Sequence, residues 1–297
     1  MQKPNRLKKG DKVVIISTAR KISEEEIRPA LNLLENWGLE VVLGNNLFKE
    51  EHQFSGTTNE RVKDFQEALD DSTIKAIFCA RGGYGTVKII DEIYFSKFIE
   101  SPKWIVGYSD VTVLHNHVNQ NFKIDTLHAT MPINFKTNTQ ESLGSLKKAL
   151  FGEDLNYEFD TNQLNRKGDA EGILVGGNLS IIYSLTGTSS QIDTAGKILF
   201  IEDLDEYLYH VDRMMMNLKR TGMLADLSGL IVGGMSDMND HTILYGKSAK
   251  EIILDAVSDY SYPVCFDFPA GHLDDNRTLI MGGDAQLIVG EKCRLIF

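Results

Sequence analysis

The segment Trp104-Ile-Val-Gly-Tyr-Ser109-Asp110 holds a serine where strand gives way to helix. On such a turn a hydroxyl points outward, and the helix dipole with its free N–H groups favours a developing anion. The segment departs from a full Gly-x-Ser-x-Gly elbow because Val111 fills the last glycine position. The same residues also fit a simpler role, with Ser109 or Asp110 capping the helix. A serine nucleophile needs a base and an orienting acid. Glu202 follows the apolar run Lys197-Ile-Leu-Phe-Ile201, at a strand end of the kind where α/β sites gather. It reads equally as one exposed acid among Asp203, Asp205 and Glu206. His272, in Phe268-Pro-Ala-Gly271-His272, lies where a strand passes into a loop, and a solvated loop histidine is the plain alternative. Spacing alone does not bring the three together.

Two glycine-rich loops could hold an anion. Arg81-Gly-Gly-Tyr-Gly85 follows a strand and opens a helix, so its N–H groups could face a phosphate or form an oxyanion hole. It lacks both the Gly-x-Gly-x-x-Gly spacing and the Walker Lys-Ser/Thr, which leaves dinucleotide binding little support. A ligand-free tight turn is the other reading. Gly176-Gly177-Asn178 is less specific and fits a turn into a helix over Leu179–Leu185. The seven histidines are scattered, with no His-Glu-x-x-His and no Cys-x-x-Cys, so a metal is not expected. His115 and His117 lie two apart on a helix and face different ways. Met214-Met215-Met216 reads as core filler.

Those residues must be positioned by a chain of 297 residues, long enough for two domains or one large one. Hydrophobic residues at 42% and charged residues at 25% allow a sizeable core. The net charge of −11 argues against nucleic acid or an anionic membrane surface as partner. Three cysteines (Cys79, Cys265, Cys293), odd in number and without metal spacing, favour a reducing compartment and no disulfide. Val13-Val14-Ile15-Ile16 is too short for a signal-peptide core or a membrane span, so a cytoplasmic protein is expected.

The first half alternates strand and helix. Strands are expected at Val13–Ser17, Leu39–Leu43, Ile74–Ala80 and Trp104–Val106. Helices are expected after each: one with Ile27, Leu31, Leu34 and Trp37 on one face, one opened by Thr57-Thr-Asn-Glu60, then Thr86–Ile93 and Asp110–Val118. Such alternation implies an α/β fold with a parallel sheet. Residues 1–135 form this part, and the polar stretch 136–168, with one helix over Leu143, Leu146 and Leu150, reads as a connection. Residues 169–297 are richer in short strands: Gly172–Val175, Ile198–Ile201, Leu230–Val232, Val264–Phe268, and a hairpin Ala285–Val289/Lys292–Ile296 turning at Gly290-Glu291. One helix interrupts them, with Tyr207, Val211, Met214 and Leu218 on one face.

Arg81-Gly-Gly-Tyr-Gly85, Gly107-Tyr-Ser-Asp110, Gly176-Gly-Asn-Leu179, Ile201-Glu-Asp203, Asp212-Arg213 and Gly271-His272 occur in this order. Together they resemble the LD-carboxypeptidase family, the serine peptidases that include muramoyltetrapeptide carboxypeptidases and microcin C self-immunity peptidases. The resemblance runs over nearly the whole chain. It implies a Ser109–Glu202–His272 triad with an oxyanion hole from backbone N–H groups of Gly83 (or its neighbour) and Asp110. It further implies a Rossmann-like N-terminal domain, a smaller β-rich, barrel-like C-terminal domain, a site between them and a homodimer. The activity implied is release of D-alanine from a muropeptide tetrapeptide, without cofactor or metal. Arg81 is a candidate partner for a substrate carboxylate, with structural pairing of its loop as the alternative; Tyr84 is a further candidate substrate contact. Two segments depart from many relatives: Ser17-Thr18-Ala19 in place of a Pro-Ser pair, and His128-Ala129-Thr130 in place of His-Gly-Pro. The rival functions are a peptidase of peptidyl-nucleotide conjugates and a non-catalytic small-ligand binder.

Overall fold

Short apolar runs in the first half become parallel strands, buried except for the one at the sheet edge. In the computed structural model, which describes residues 1–297, these are β1 (Lys12–Ile16), β2 (Glu40–Leu43), β3 (Ile74–Cys79), β4 (Trp104–Gly107) and β5 (Thr126–His128). They lie in the order β2-β1-β3-β4-β5, all parallel. The strand order reverses between β1 and β3, and such a switch point opens a crevice at the carboxyl ends of the strands. Helices α1 (Glu24–Asn36), α2 (Thr58–Asp70), α3 (Ser96–Glu100) and α4 (Thr112–Phe122) cover the sheet. Val13 and Ile15 pack with α1 on one face, while Val14 and Ile16 pack with α2 and α4 on the other. Capping boxes start α1 at Ser23/Glu26 and α2 at Thr57/Glu60. The helix expected over Thr86–Ile93 is instead two 3-10 turns, Thr86–Lys88 and Ile90–Glu92. Five β-branched residues in that stretch (Thr86, Val87, Ile89, Ile90, Ile93) favour short turns over a continuous α-helix.

The stretch 136–168 is more than a connection. It holds α5 (Gln140–Phe151) and a strand, β6 (Asn156–Asp160). The strand was not expected because its apolar content is slight and its partner lies far along the chain. The remaining elements are β7 (Gly168–Asn178), α6 (Leu179–Ser184), β8 (Ile198–Leu204), α7 (Leu208–Arg220), β9 (Gly229–Ser236), α8 (Ala249–Ala256), β10 (Val264–Phe266), β11 (Leu279–Met281), β12 (Asp284–Val289) and β13 (Lys292–Ile296). A second sheet runs β10-β9-β8-β7-β12-β13-β6, parallel from β10 to β7 and antiparallel from β7 to β6. Arg166, in the connection from β6 to β7, exchanges both backbone hydrogen bonds with Val264 of the edge strand β10. Helix α8 was not expected, although Ser248-x-x-Glu251 before Ile252-Ile253 carries a capping-box signal. Met214 and Met215 are buried as expected, whereas Met216 is exposed.

β11 comes from the last thirty residues of sequence position yet pairs antiparallel with β5, completing the first sheet as its sixth strand. One continuous core of 40 buried residues then joins Val13, Ile15, Phe78 and Trp104 of the first sheet to Leu174, Ile198, Phe200 and Leu287 of the second. Leu143, Leu146 and Leu150 of α5 belong to the same core. A fragment of residues 1–135 therefore lacks an edge strand and part of its own core. Expressed alone it should fail to give a cooperative urea transition by circular dichroism, and a cooperative transition in the isolated fragment would contradict this.

Candidate active site

The turn after β4 begins at Gly107, where an added Cβ would lie 2.8 Å from Val111 Cγ2. Glycine here gives the helix room to pack on the strand, so a bulky Val111 is tolerated in the elbow. Ser109 has φ of 62°, a left-handed backbone that a non-glycine residue holds only when its surroundings enforce it. The glycine loop supplies part of that enforcement. A Cβ on Gly82 would sit 3.1 Å from Ser109 Cβ and 3.3 Å from its Oγ.

Asp110 ties the loop down from beneath. Its Oδ2 accepts the Thr86 N–H at 2.8 Å, and burial pushes its carboxyl above the usual range against the pull of that hydrogen bond. Buried Arg61, from α2, donates through Nη1 to Thr18 O (2.9 Å) and Gly85 O (3.2 Å). The hydroxyls of Thr18 and Thr86 meet at 2.8 Å. The loops after β1, β3 and β4 are thus one hydrogen-bonded unit at the switch point.

The second sheet delivers the other two groups. Glu202 lies near the end of β8 with its side chain fully buried, beside an irregularity in the β8–β9 register between Ile201 and Asp203. His272 sits on the loop after β10, where Gly271 has φ of 110°. His272 Nδ1 is 2.7 Å from Glu202 Oε2, and its Nε2 is 3.1 Å from Ser109 Oγ. Because a carboxylate only accepts, Nδ1 carries the proton and Nε2 is left to accept from the serine hydroxyl. Burial alone would lower the His272 pKa. Attraction to Glu202, their hydrogen bond and the more distant Asp203 together outweigh it, and the net shift is upward from 6.5. The Tyr108 ring packs 4.9 Å from the imidazole, and Ser236 Oγ donates to His272 O at 3.0 Å. A serine, an imidazole and a carboxylate in this order can perform acyl transfer.

Residues 13–129 match the LD-carboxypeptidase N-terminal domain, and residues 171–287 match the LD-carboxypeptidase C-terminal domain. A probable murein peptide carboxypeptidase of Bacillus subtilis (strain 168) is 35% identical over 99% of this chain and 94% of its own. The chain belongs to the LD-carboxypeptidase family. It is accordingly a peptidase. The crystal structure of muramoyltetrapeptide carboxypeptidase from Oxalobacter formigenes superposes with a TM-score of 0.87 at 27% identity, covering 96% of this chain and 98% of that one. The microcin C7 self immunity protein in complex with aspartyl sulfamoyl adenosine shares the fold, with a TM-score of 0.89 at 21% identity, over 99% of this chain and 97% of that one.

In this LD-carboxypeptidase family member a cleft of about 310 Å³ opens beside Ser109. Gly83 and Asp110 border it, together with Asn178, Asp203, Asp205 and Glu206. Arg81 does not line the cleft: its Nη1 lies 3.7 Å from Glu26 Oε1 and donates to Lys21 O at 3.3 Å. Its structural reading therefore has direct partners. Tyr84 is half exposed and packs near Phe54, with Lys88 Nζ over its ring; unlike its neighbour Gly83 it does not line the cleft. The His128 imidazole makes no hydrogen bond and lies buried between Tyr108 and Phe200, where burial drives its pKa well below 6.5. It stays neutral and does not reach Ser109.

Asp203, part of the Ile201-Glu-Asp203 motif and of an acidic run expected to be exposed, is buried and structural. Its oxygens accept from Asn178 Nδ2, Ser180 N and Leu204 N, each at 2.9 Å, which fixes the start of α6. Burial, then repulsion from Glu202, pushes its pKa to about 7. The alternation of β8 hides this, since the register irregularity turns two successive acids inward. Gly271 tests the packing most directly. An added Cβ would fall 2.7 Å from Glu202 Oε2 and 2.8 Å from Glu202 Cβ. Gly271→Ala should destabilise the fold by about 1–3 kcal/mol from backbone strain alone and abolish most activity by displacing the carboxylate. Chemical denaturation beside a peptidase assay checks both, and a fully active variant would contradict the geometry.

Proposed function

We propose that this protein is a serine-type LD-carboxypeptidase that releases D-alanine from peptidoglycan-derived tetrapeptides. The observation that carries the reading is the hydrogen-bonded series Ser109–His272–Glu202, at 3.1 and 2.7 Å. Ser109 Oγ attacks the scissile carbonyl while His272 Nε2 takes its proton. The oxyanion forms beside the peptide N–H groups of Gly83 and Asp110. Collapse breaks the C–N bond, and His272 returns the proton to the departing amine of D-alanine. Water, deprotonated by the same imidazole, then cleaves the acyl-serine ester. Glu202 holds the ring and stabilises its charged form throughout.

A muropeptide is favoured over a peptidyl-nucleotide because the 35%-identical relative is named as a murein peptide carboxypeptidase. An aromatic platform for a base would favour the nucleotide, but Trp37 and Trp104 are buried and neither borders the cleft. The microcin-related likeness is one of fold.

Ser109→Ala and His272→Ala should each lower kcat by roughly 10⁴–10⁶, and the double variant little more, because the members act as a unit. D-alanine release by folded variants measures this, and near-normal turnover by Ser109→Ala would dispose of the mechanism. The free enzyme needs neutral His272, so kcat/KM should fall as pH drops through a midpoint above 6.5. Glu202→Gln removes the main attraction and leaves burial less opposed. Its residual activity should show that midpoint displaced to lower pH; an unmoved limb would assign it to another group.

The same reading includes a cytoplasmic homodimer that works without metal or cofactor. Light scattering should then give twice the 33.3 kDa chain mass, and a chelator should leave turnover unchanged. A monomeric mass or chelator-sensitive turnover would remove the corresponding part.

A further inference from the structure

Glu202 uses only one of its two carboxylate oxygens in the contact with His272. The other, Oε1, is buried and has no protein donor. A short distance along the base's own loop, Asn276 is likewise fully buried, and its Nδ2 has no acceptor. The orientation of that amide is fixed, because its Oδ1 accepts the Gly271 N–H at 2.9 Å. Gly271 in turn lies against Glu202, with its missing Cβ 2.7 Å from Oε2. An orphan donor and an orphan acceptor therefore flank the same glycine. The backbone of Asn276 is anchored separately, since its carbonyl accepts from Ser142 Oγ of α5 at 2.7 Å.

We infer that Asn276 is a positioning residue for the Glu202–His272 pair, holding the base's loop through Oδ1 and supporting Glu202 Oε1 through Nδ2 by way of an ordered water. Buried waters are found where two to four polar groups of this kind converge. A donor at Oε1 stabilises the ionised carboxylate and stops it from rotating away from the imidazole. It also keeps the proton on His272 rather than on the acid. The inference rests on the serine-peptidase reading above and adds to it a residue that touches neither substrate nor nucleophile.

Two substitutions separate the two halves of the amide. Asn276→Ala removes both and should lower kcat on the order of 10–100-fold, the scale of a small misplacement of a catalytic group, with KM nearly unchanged. Asn276→Asp keeps an oxygen for the Gly271 N–H but replaces the donor. While protonated, its O–H can serve the same water. Once ionised it sets a second anion beside Glu202, and two neighbouring carboxylates resist joint ionisation. The Asp variant should thus gain an alkaline limb in kcat that the parent lacks. A role confined to holding the loop predicts the parent's pH profile instead, and that result would overturn the inference. If the variants do not fold, an atomic-resolution crystal structure of the unmodified protein decides. It should show a water bonded to both Glu202 Oε1 and Asn276 Nδ2, and a site without that water would also overturn it. Activity surviving in Ser109→Ala would instead bring down the serine reading itself. An inactive Ser109→Ala with an unaltered Asn276→Asp would bring down only the role of Asn276.

Discussion

The continuous core between the two sheets is the constraint on which the site depends. Ser109 is fixed by the first sheet, and Glu202 and His272 by the second, so their separations hold only if the sheets cannot slide or hinge. Trp104 and Phe78 pack into the same apolar mass as Phe200 and Leu287. Close-packed interiors transmit displacement rather than absorb it. β11 adds a covalent reason for rigidity. The chain returns from the His272 loop directly into the first sheet, where Leu279 pairs with His128.

α5 contributes to the same end from the stretch between the two strand-rich halves. Ser142 Oγ reaches Asn276 O, Ser145 Oγ lies 3.2 Å from Thr278 Oγ1, and the Asn138 amide donates to Leu273 O and Asp274 O. The loop that carries His272 is therefore held along the residues that follow it. Ser109, the strained member, is held by Gly82 and by the Asp110–Thr86 bond. Strain of this kind persists only where neighbours over-determine the conformation.

Electrostatics then set the protonation states. A lone buried imidazole would be neutral and weakly basic, as His128 is. Beside Glu202 the same side chain is pushed the other way. The contrast between the two histidines comes chiefly from the Glu202 carboxylate, with Asp203 adding to it. The carboxylate is itself buried, which strengthens its pull and makes its unpartnered oxygen consequential.

The amino-acid sequence by itself determined the elements and the residue types at their ends. The β-branched runs of β1, β3 and β4, the capping boxes of α1 and α2, and the hairpin β12–β13 follow from local periodicity and turn chemistry, which act within a few residues. The turn at Ser109, the glycine loop before it and the strand end at Glu202 were legible for the same reason. What only the tertiary structure decided depends on contacts distant in sequence. The pairing of β6 with β13 and of β11 with β5, the burial of Asp203 and Asn276, and the turning of Arg81 toward Glu26 have no local signature. Above all, the 163-residue separation of Ser109 from His272 is closed by the shared core, because hydrophobic burial is non-directional and leaves no mark of partner choice in either segment.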